Sequence, residues 1–206
     1  MNFKKIICLI LSLSLCFLLV ACGSSQTDTA TDGKDLSELT KNKVNVVITV
    51  KNFGDIELEL YSDLAPITVK NFISLAKSGF YDGITFHRII KDFMIQGGDP
   101  EGTGMGGSKE KIKGEFTANG HQNDLSHTRG VISMARLGND MNSASSQFFI
   151  VHKDSPHLDG QYASFGMVTK GLDVVDKIAE ETPSEAYTGS VEKANQPVIE
   201  TIKVLD

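Results

Sequence analysis

The densest run of chemically capable residues is Phe86-His87-Arg88-Ile89-Ile90-Lys91-Asp92-Phe93-Met94-Ile95-Gln96-Gly97-Gly98-Asp99. It places a guanidinium, two large apolar groups and a carboxamide on adjacent strand candidates. Such a set holds a polar partner by charge-assisted hydrogen bonds beside a dry surface. Other chemistries find no support. The five histidines, His87, His121, His127, His152 and His157, show neither H-E-x-x-H nor Cys-paired spacing, and no G-x-S-x-G elbow presents a serine nucleophile. The histidines therefore read as surface or hydrogen-bonded residues. Gly102-Thr103-Gly104-Met105-Gly106-Gly107 fits G-x-G-x-x-G formally, but that fingerprint needs a helix opening directly after the glycines. Here Lys109 to Gly114 is short, charged and ends in another glycine.

The elements that must position these residues are short. Val46, Ile48 and Val50 alternate with polar neighbours, and Ile56-Glu57-Leu58-Glu59-Leu60 alternates again after Asn52-Phe53-Gly54-Asp55, which predicts a β-hairpin. Pro66 opens a helix with Val69, Phe72, Ile73 and Ala76 at helical spacing, and Gly79 closes it. Further strands are expected over Thr85 to Ile89, Met94 to Gly98, Gly130 to Ala135, Gln147 to His152, Ser164 to Thr169 and Val198 to Leu205, with a second helix over Leu172 to Glu180. Many short strands and few helices point to an antiparallel barrel or sandwich.

Phe86 to Asp99 closely resembles the cyclophilin signature. Gly130-Val131-Ile132-Ser133-Met134-Ala135, Ser145-Ser146-Gln147-Phe148-Phe149-Ile150, and His157-Leu158-Asp159-Gly160 with Ser164-Phe165-Gly166 match the family in order, so the likeness covers Val44 to Asp206. It implies a mainly β fold, an eight-stranded closed antiparallel barrel capped by two helices. It also implies peptidyl-prolyl cis/trans isomerase activity on proline-containing polypeptides, with no cofactor and no metal. By the same likeness the catalytic set is Arg88, Phe93 and Gln96, and the substrate face adds Met94, Ala135, Arg136, Gln147, Phe149, His157, Leu158 and Tyr162. A binding module or holdase using the same groove without turnover is the alternative. The glycines at 97, 98, 104 and 107 read as turn formers.

The reaction is rotation about an amide whose barrier, about 18–20 kcal/mol, comes from resonance of the nitrogen lone pair with the carbonyl. No bond has to break. The family mechanism gives the match of Arg88 a hydrogen bond to the proline nitrogen, which favours the twisted state where that lone pair is localised. The chain departs from the well-studied eukaryotic members by His157 in place of tryptophan and Tyr162 in place of histidine, and it contains no tryptophan. Weak cyclosporin inhibition is expected. Arg136 replaces a residue that usually contacts ligand through its backbone, and its side chain adds a preference that the sequence does not specify.

The chain opens with Lys4-Lys5, an apolar run from Ile6 to Val20, and Leu19-Val20-Ala21-Cys22, the layout of an export signal. The last four residues look like the lipobox of bacterial lipoproteins. Residues 1–21 are thus expected to be removed and Cys22 to carry a diacylglyceryl group, whose two chains at about 0.8 kcal/mol per buried methylene hold a protein stably. Residues 22–43 are expected to be a polar linker, and residues 44–206 one isomerase domain, a monomer, on the outer face of the cell membrane, or periplasmic where the host has two membranes. Losing Lys4 and Lys5 leaves 18 basic against 26 acidic residues, a net of −8. That balance argues against nucleic acid as a partner.

Overall fold

The structure, a computed structural model, describes residues 36–205. The lipobox, Cys22 and the export signal lie outside these residues. A helical turn, α1 (Leu36–Leu39), stands within the stretch read as linker, and Leu36 packs against Tyr61 and Leu64.

Alternation builds the strands. β1 (Lys43–Val50) and β2 (Gly54–Tyr61) pair antiparallel with Val46 opposite Leu58 and Ile48 opposite Ile56, all buried. α2 (Pro66–Lys77) buries Thr68, Val69, Phe72 and Ala76, while Ile73 lies at the margin of the core. Its first turn leaves N–H groups without intrahelical partners. Those of Ile67 and Thr68 donate to the carboxylate of Glu115 at 3.0 and 2.8 Å, and the negative charge also suits the positive end of the helix. β3 (Thr85–Ile90), β4 (Met94–Asp99), β5 (Val131–Met134), β6 (Phe148–Val151), β7 (Ser164–Lys170), α3 (Leu172–Glu181) and β8 (Ile199–Leu205) follow.

The eight strands form one sheet in the order β3-β4-β6-β5-β7-β2-β1-β8, every pairing antiparallel. The sheet curls until its edges meet, but closure is partial. Thr85 and Val198 form an isolated bridge, and Gly83, Phe86 and Ile199 add backbone hydrogen bonds of 2.8, 2.9 and 2.8 Å in place of a continuous ladder.

Inside, Phe72, Tyr81, Phe86, Phe148 and Phe165 pack edge to face or tilted at ring separations of 5.2 to 6.1 Å. Phe148 touches three of these rings. Gly97 and Gly98 are not turn formers; both lie within β4. Gly98 has φ +87°, and a Cβ there would collide with the Ser146 carbonyl, so close strand approach demands glycine. Of the histidines, read from the sequence as surface or hydrogen-bonded, only His87 departs from expectation. His87, His121, His127 and His152 are buried, and only His157 is exposed. His121, His127 and His152 are hydrogen-bonded, whereas neither ring nitrogen of His87 has a partner among the described residues.

Candidate active site

β3, β4 and β6 lie side by side with Arg88 opposite Gln96 and Gln96 opposite Phe149. A strand's period of two then sorts the side chains. Ile89, Ile95 and Phe148 enter the main core, while Met94 and Phe149 join a smaller cluster with Val131, Val151 and Leu158 on the other face. That cluster forms the floor of a slot of about 150 Å³, lined by Arg88, Phe93, Met94, Gln96, Ala135, Arg136, Phe149, Leu158 and Tyr162. At about 30 Å³ per water in the liquid, this is room for one small ring.

Nine of the eleven residues singled out in the sequence line this slot. Gln147 stands just outside it as a buttress. His157 is exposed and lies behind Phe93, ring centroids 5.4 Å apart. The turn presenting Phe93 is braced from outside the slot: Asp92, at φ 61°, donates its N–H to His152 Nδ1 at 2.9 Å. His152 Nε2 in turn sits 3.2 Å from Asp176 on α3.

Beneath the slot, His127 stacks on Phe149 at 5.9 Å, with Nδ1 2.9 Å from Asp159 Oδ1 and Nε2 3.0 Å from Ser133 Oγ. Burial draws the imidazole below its ordinary pKa, against a smaller upward pull from Asp159. Neutral His127 therefore donates from Nδ1 to Asp159 and accepts the Ser133 hydroxyl. The order serine, histidine, aspartate copies a nucleophilic relay, but Ser133 is 0% exposed and no substrate reaches it. The trio fixes Phe149.

Arg88 is held by a chain of hydrogen bonds. Nε donates to the Thr188 carbonyl at 2.9 Å, and Nη1 to Gln96 Oε1 at 3.2 Å. Gln96 Nε2 donates to Gln147 Oε1 at 2.9 Å, and Gln147 Nε2 to the carbonyls of Gly104 and Gly106 at 3.1 and 2.7 Å. Nη2 has no acceptor among the described residues and is free to donate to a ligand. Burial draws the guanidinium below its ordinary value, opposed by Tyr162; an arginine remains charged at neutral pH nonetheless. Since Gln147 is one link removed from Arg88, Gln147→Ala is expected to lower kcat/KM about three- to tenfold, the equivalent of one neutral hydrogen bond. Thermal unfolding beside a prolyl-peptide assay checks that the loss is not one of folding.

Asp99 anchors the loop that supplies those carbonyls. Its carboxylate accepts the N–H groups of Glu101, Thr103 and Gly104 at 2.8, 2.9 and 2.6 Å. Burial pushes the carboxyl pKa up, but these backbone donors, with that of Gly106, together outweigh it and hold the group below its ordinary 3.8. A depressed carboxyl contributes stability that is present above the unfolded value and lost as pH falls through the folded one. Wild type is thus expected to lose stability below about pH 4 more steeply than Asp99→Asn, as urea unfolding at stepped pH measures. Parallel curves would contradict this.

A second cavity, about 330 Å³, adjoins the slot and shares Gln96, Ala135 and Arg136 with it. Its other lining residues include Met105, Lys109, Lys111, Leu137 and Ser145, none of which the sequence assigns to the substrate site. Their recruitment depends on the bridge between Ile112 and Ala144, which folds the loop back over the sheet. No local pattern announces that pairing.

Comparison with known proteins agrees with this geometry. The sequence profile described as "Cyclophilin type peptidyl-prolyl cis-trans isomerase/CLD" matches residues 45–205. A Bacillus subtilis protein named peptidyl-prolyl cis-trans isomerase B is 52% identical over 118 residues, 57% of this chain and 78% of that one. A Helicobacter pylori peptidyl-prolyl cis-trans isomerase is 47% identical over 145 residues, 69% of this chain and 84% of that protein. The chain spans only 24% of a longer relative, the peptidyl-prolyl cis-trans isomerase-like 2 of Rhizopus delemar, at 51% identity. Among solved structures, a Cryptosporidium parvum cyclophilin type isomerase superposes with TM-score 0.71 at 33% identity, covering 80% of this chain and 99% of that one. A second structure of that isomerase was solved in the presence of the dipeptide Ala-Pro. With 161 contiguous residues (45 through 205) matched, this chain belongs to the cyclophilin-type peptidyl-prolyl cis-trans isomerase family.

Proposed function

We infer that the chain isomerises X-Pro bonds in the slot beside Arg88, and that it does so on exported proteins while tethered through Cys22 to the outer face of a bacterial membrane. The carrying observation is a guanidinium fixed by Gln96 and Thr188, with Nη2 left to donate, lining a slot of ring size with an apolar floor. A pyrrolidine gripped by Phe93, Met94, Phe149 and Leu158 sheds water, so a hydrogen bond from Arg88 to its nitrogen strengthens as the amide twists and the lone pair localises. The planar ground state offers that donor a poorer acceptor. Uncatalysed isomerisation takes tens to hundreds of seconds, long enough to limit folding of a newly exported protein.

The direct test is a spectroscopic isomerase assay on the soluble domain beginning near Val44. Acceleration of a prolyl peptide is expected, and an unchanged rate contradicts the reading. The tether rests on the Lys4-Lys5 opening, the apolar run and Leu19-Val20-Ala21-Cys22. Cells making the full chain are expected to incorporate labelled fatty acid into it and to lose the label with Cys22→Ala. Label that survives this substitution sinks the assignment.

A further inference from the structure

The cavity beside the proline slot has a charge at odds with the rest of the molecule. Three cations line it, Lys109, Lys111 and Arg136, and no carboxylate does, although acidic residues outnumber basic ones by 26 to 20 in the chain. Arg136 is fixed in place. Its Nε donates to the Gln161 carbonyl at 2.9 Å and its Nη1 to the carbonyls of Leu137 and Gly138 at 2.9 and 3.2 Å. The guanidinium lies 5.1 Å from the Phe116 ring centroid and 4.8 Å from that of Tyr162, so it forms a rigid wall between slot and cavity.

None of these bonds neutralises its charge. Among the described residues neither Arg136 nor Lys109 has an ion-pair partner, and Lys111 reaches Asp140 only at 3.8 Å with both side chains exposed. A pair of that kind is worth little and yields readily to a better partner. Met105, 83% exposed, and Leu137, 52% exposed, stand on the same rim and offer apolar surface to a methylene stem.

We propose that this cavity gives the enzyme a substrate preference: it takes a carboxylate side chain, glutamate above aspartate, from a residue close to the proline. The proposal rests on the reading of the slot as the proline site. An extended chain advances about 3.3–3.6 Å per residue, so cavities sharing a wall are reached by residues within a few positions of one another. Concave cations focus field into the cavity and strengthen the attraction beyond that of a flat surface.

The test uses short peptides with one X-Pro bond and Glu, Gln or Lys placed in turn at each flanking position. At the favoured position the Glu peptide is expected to exceed the Lys peptide in kcat/KM about tenfold at low salt, the sum of a few exposed charge pairs gained or repelled. Gln falls between, and the gap shrinks as salt rises. The double variant Lys109→Glu/Lys111→Glu reverses the order. Equal kcat/KM for Glu and Lys peptides at every position overturns the proposal, as does a preference that the double variant leaves intact. Failure of the parent reading looks different, because no peptide would then be isomerised at all. In that event fluorescence titration of the same peptides still ranks Glu above Lys if the cavity binds as proposed, and equal affinities overturn it.

Discussion

Arg88→Ala is expected to cut kcat/KM for a prolyl peptide by about ten- to a hundredfold, the range of one hydrogen bond to a charged group, about 1.5–3 kcal/mol. The fold should survive. Arg88 is only half-buried and sits on the outer face of β3, away from the aromatic core, so no sealed void opens when it is truncated. Gln96 and Thr188 lose one partner each but lie beside the slot, where water can replace it. Arg88→Lys should recover only part of the loss, because an ammonium cannot hold Gln96 and the Thr188 carbonyl while also reaching the substrate as the guanidinium fork does. Thermal unfolding with the assay separates the outcomes. Equal rates for wild type and Arg88→Ala, or a variant that fails to fold, would each contradict this assignment.

Neighbouring phenylalanines on β6 should separate stability from activity. Phe148 is 0% exposed and packs against Phe72, Tyr81 and Phe86, so Phe148→Ala is expected to cost about 3–5 kcal/mol and lower Tm by roughly 10 °C or more. Phe149 points the other way and borders the slot. Its truncation opens to solvent and leaves no closed void, so the cost approaches the transfer term alone, about 2 kcal/mol. Its effect on turnover should be larger, about tenfold or more in kcat/KM, because the ring walls the slot and carries the contact with Tyr162. Denaturant titration of both variants, with peptide assays at a temperature where each is folded, checks the split. The result that counts against it is Phe149→Ala with full activity, or Phe148→Ala with wild-type stability.

The alternation that divides Phe148 from Phe149 is visible in the sequence, and so are most elements that carry the slot. The hairpin of β1 and β2, the helix opened by Pro66, and the strands bearing Arg88, Gln96 and Phe149 follow local patterns of period two or 3.6, and their ends fall within three residues of those expected. What local pattern cannot convey is long-range approach. The Thr188 carbonyl meets Arg88 across a hundred residues of chain, and the Asp99 carboxylate is readable as a residue but not as the anchor of its own loop. The same holds for the glycines of β4: Gly98 is dictated by the Ser146 carbonyl, a neighbour from another strand's approach. The buried histidines depended on partners such as Leu64 and Asp159 that spacing does not reveal. Lys109 and Lys111 read as a charged loop until the Ile112–Ala144 bridge folds them over the cavity.

Nuclear magnetic resonance exchange on a saturating prolyl peptide measures, in one sample, how tightly the peptide is held and how fast its bond rotates while bound. If Arg88 grips the twisted amide better than the flat one, Arg88→Ala slows the on-enzyme rotation by tenfold or more and changes the dissociation constant by no more than about threefold. A variant that binds much more weakly yet rotates the bound bond at the wild-type rate would show that Arg88 merely holds substrate.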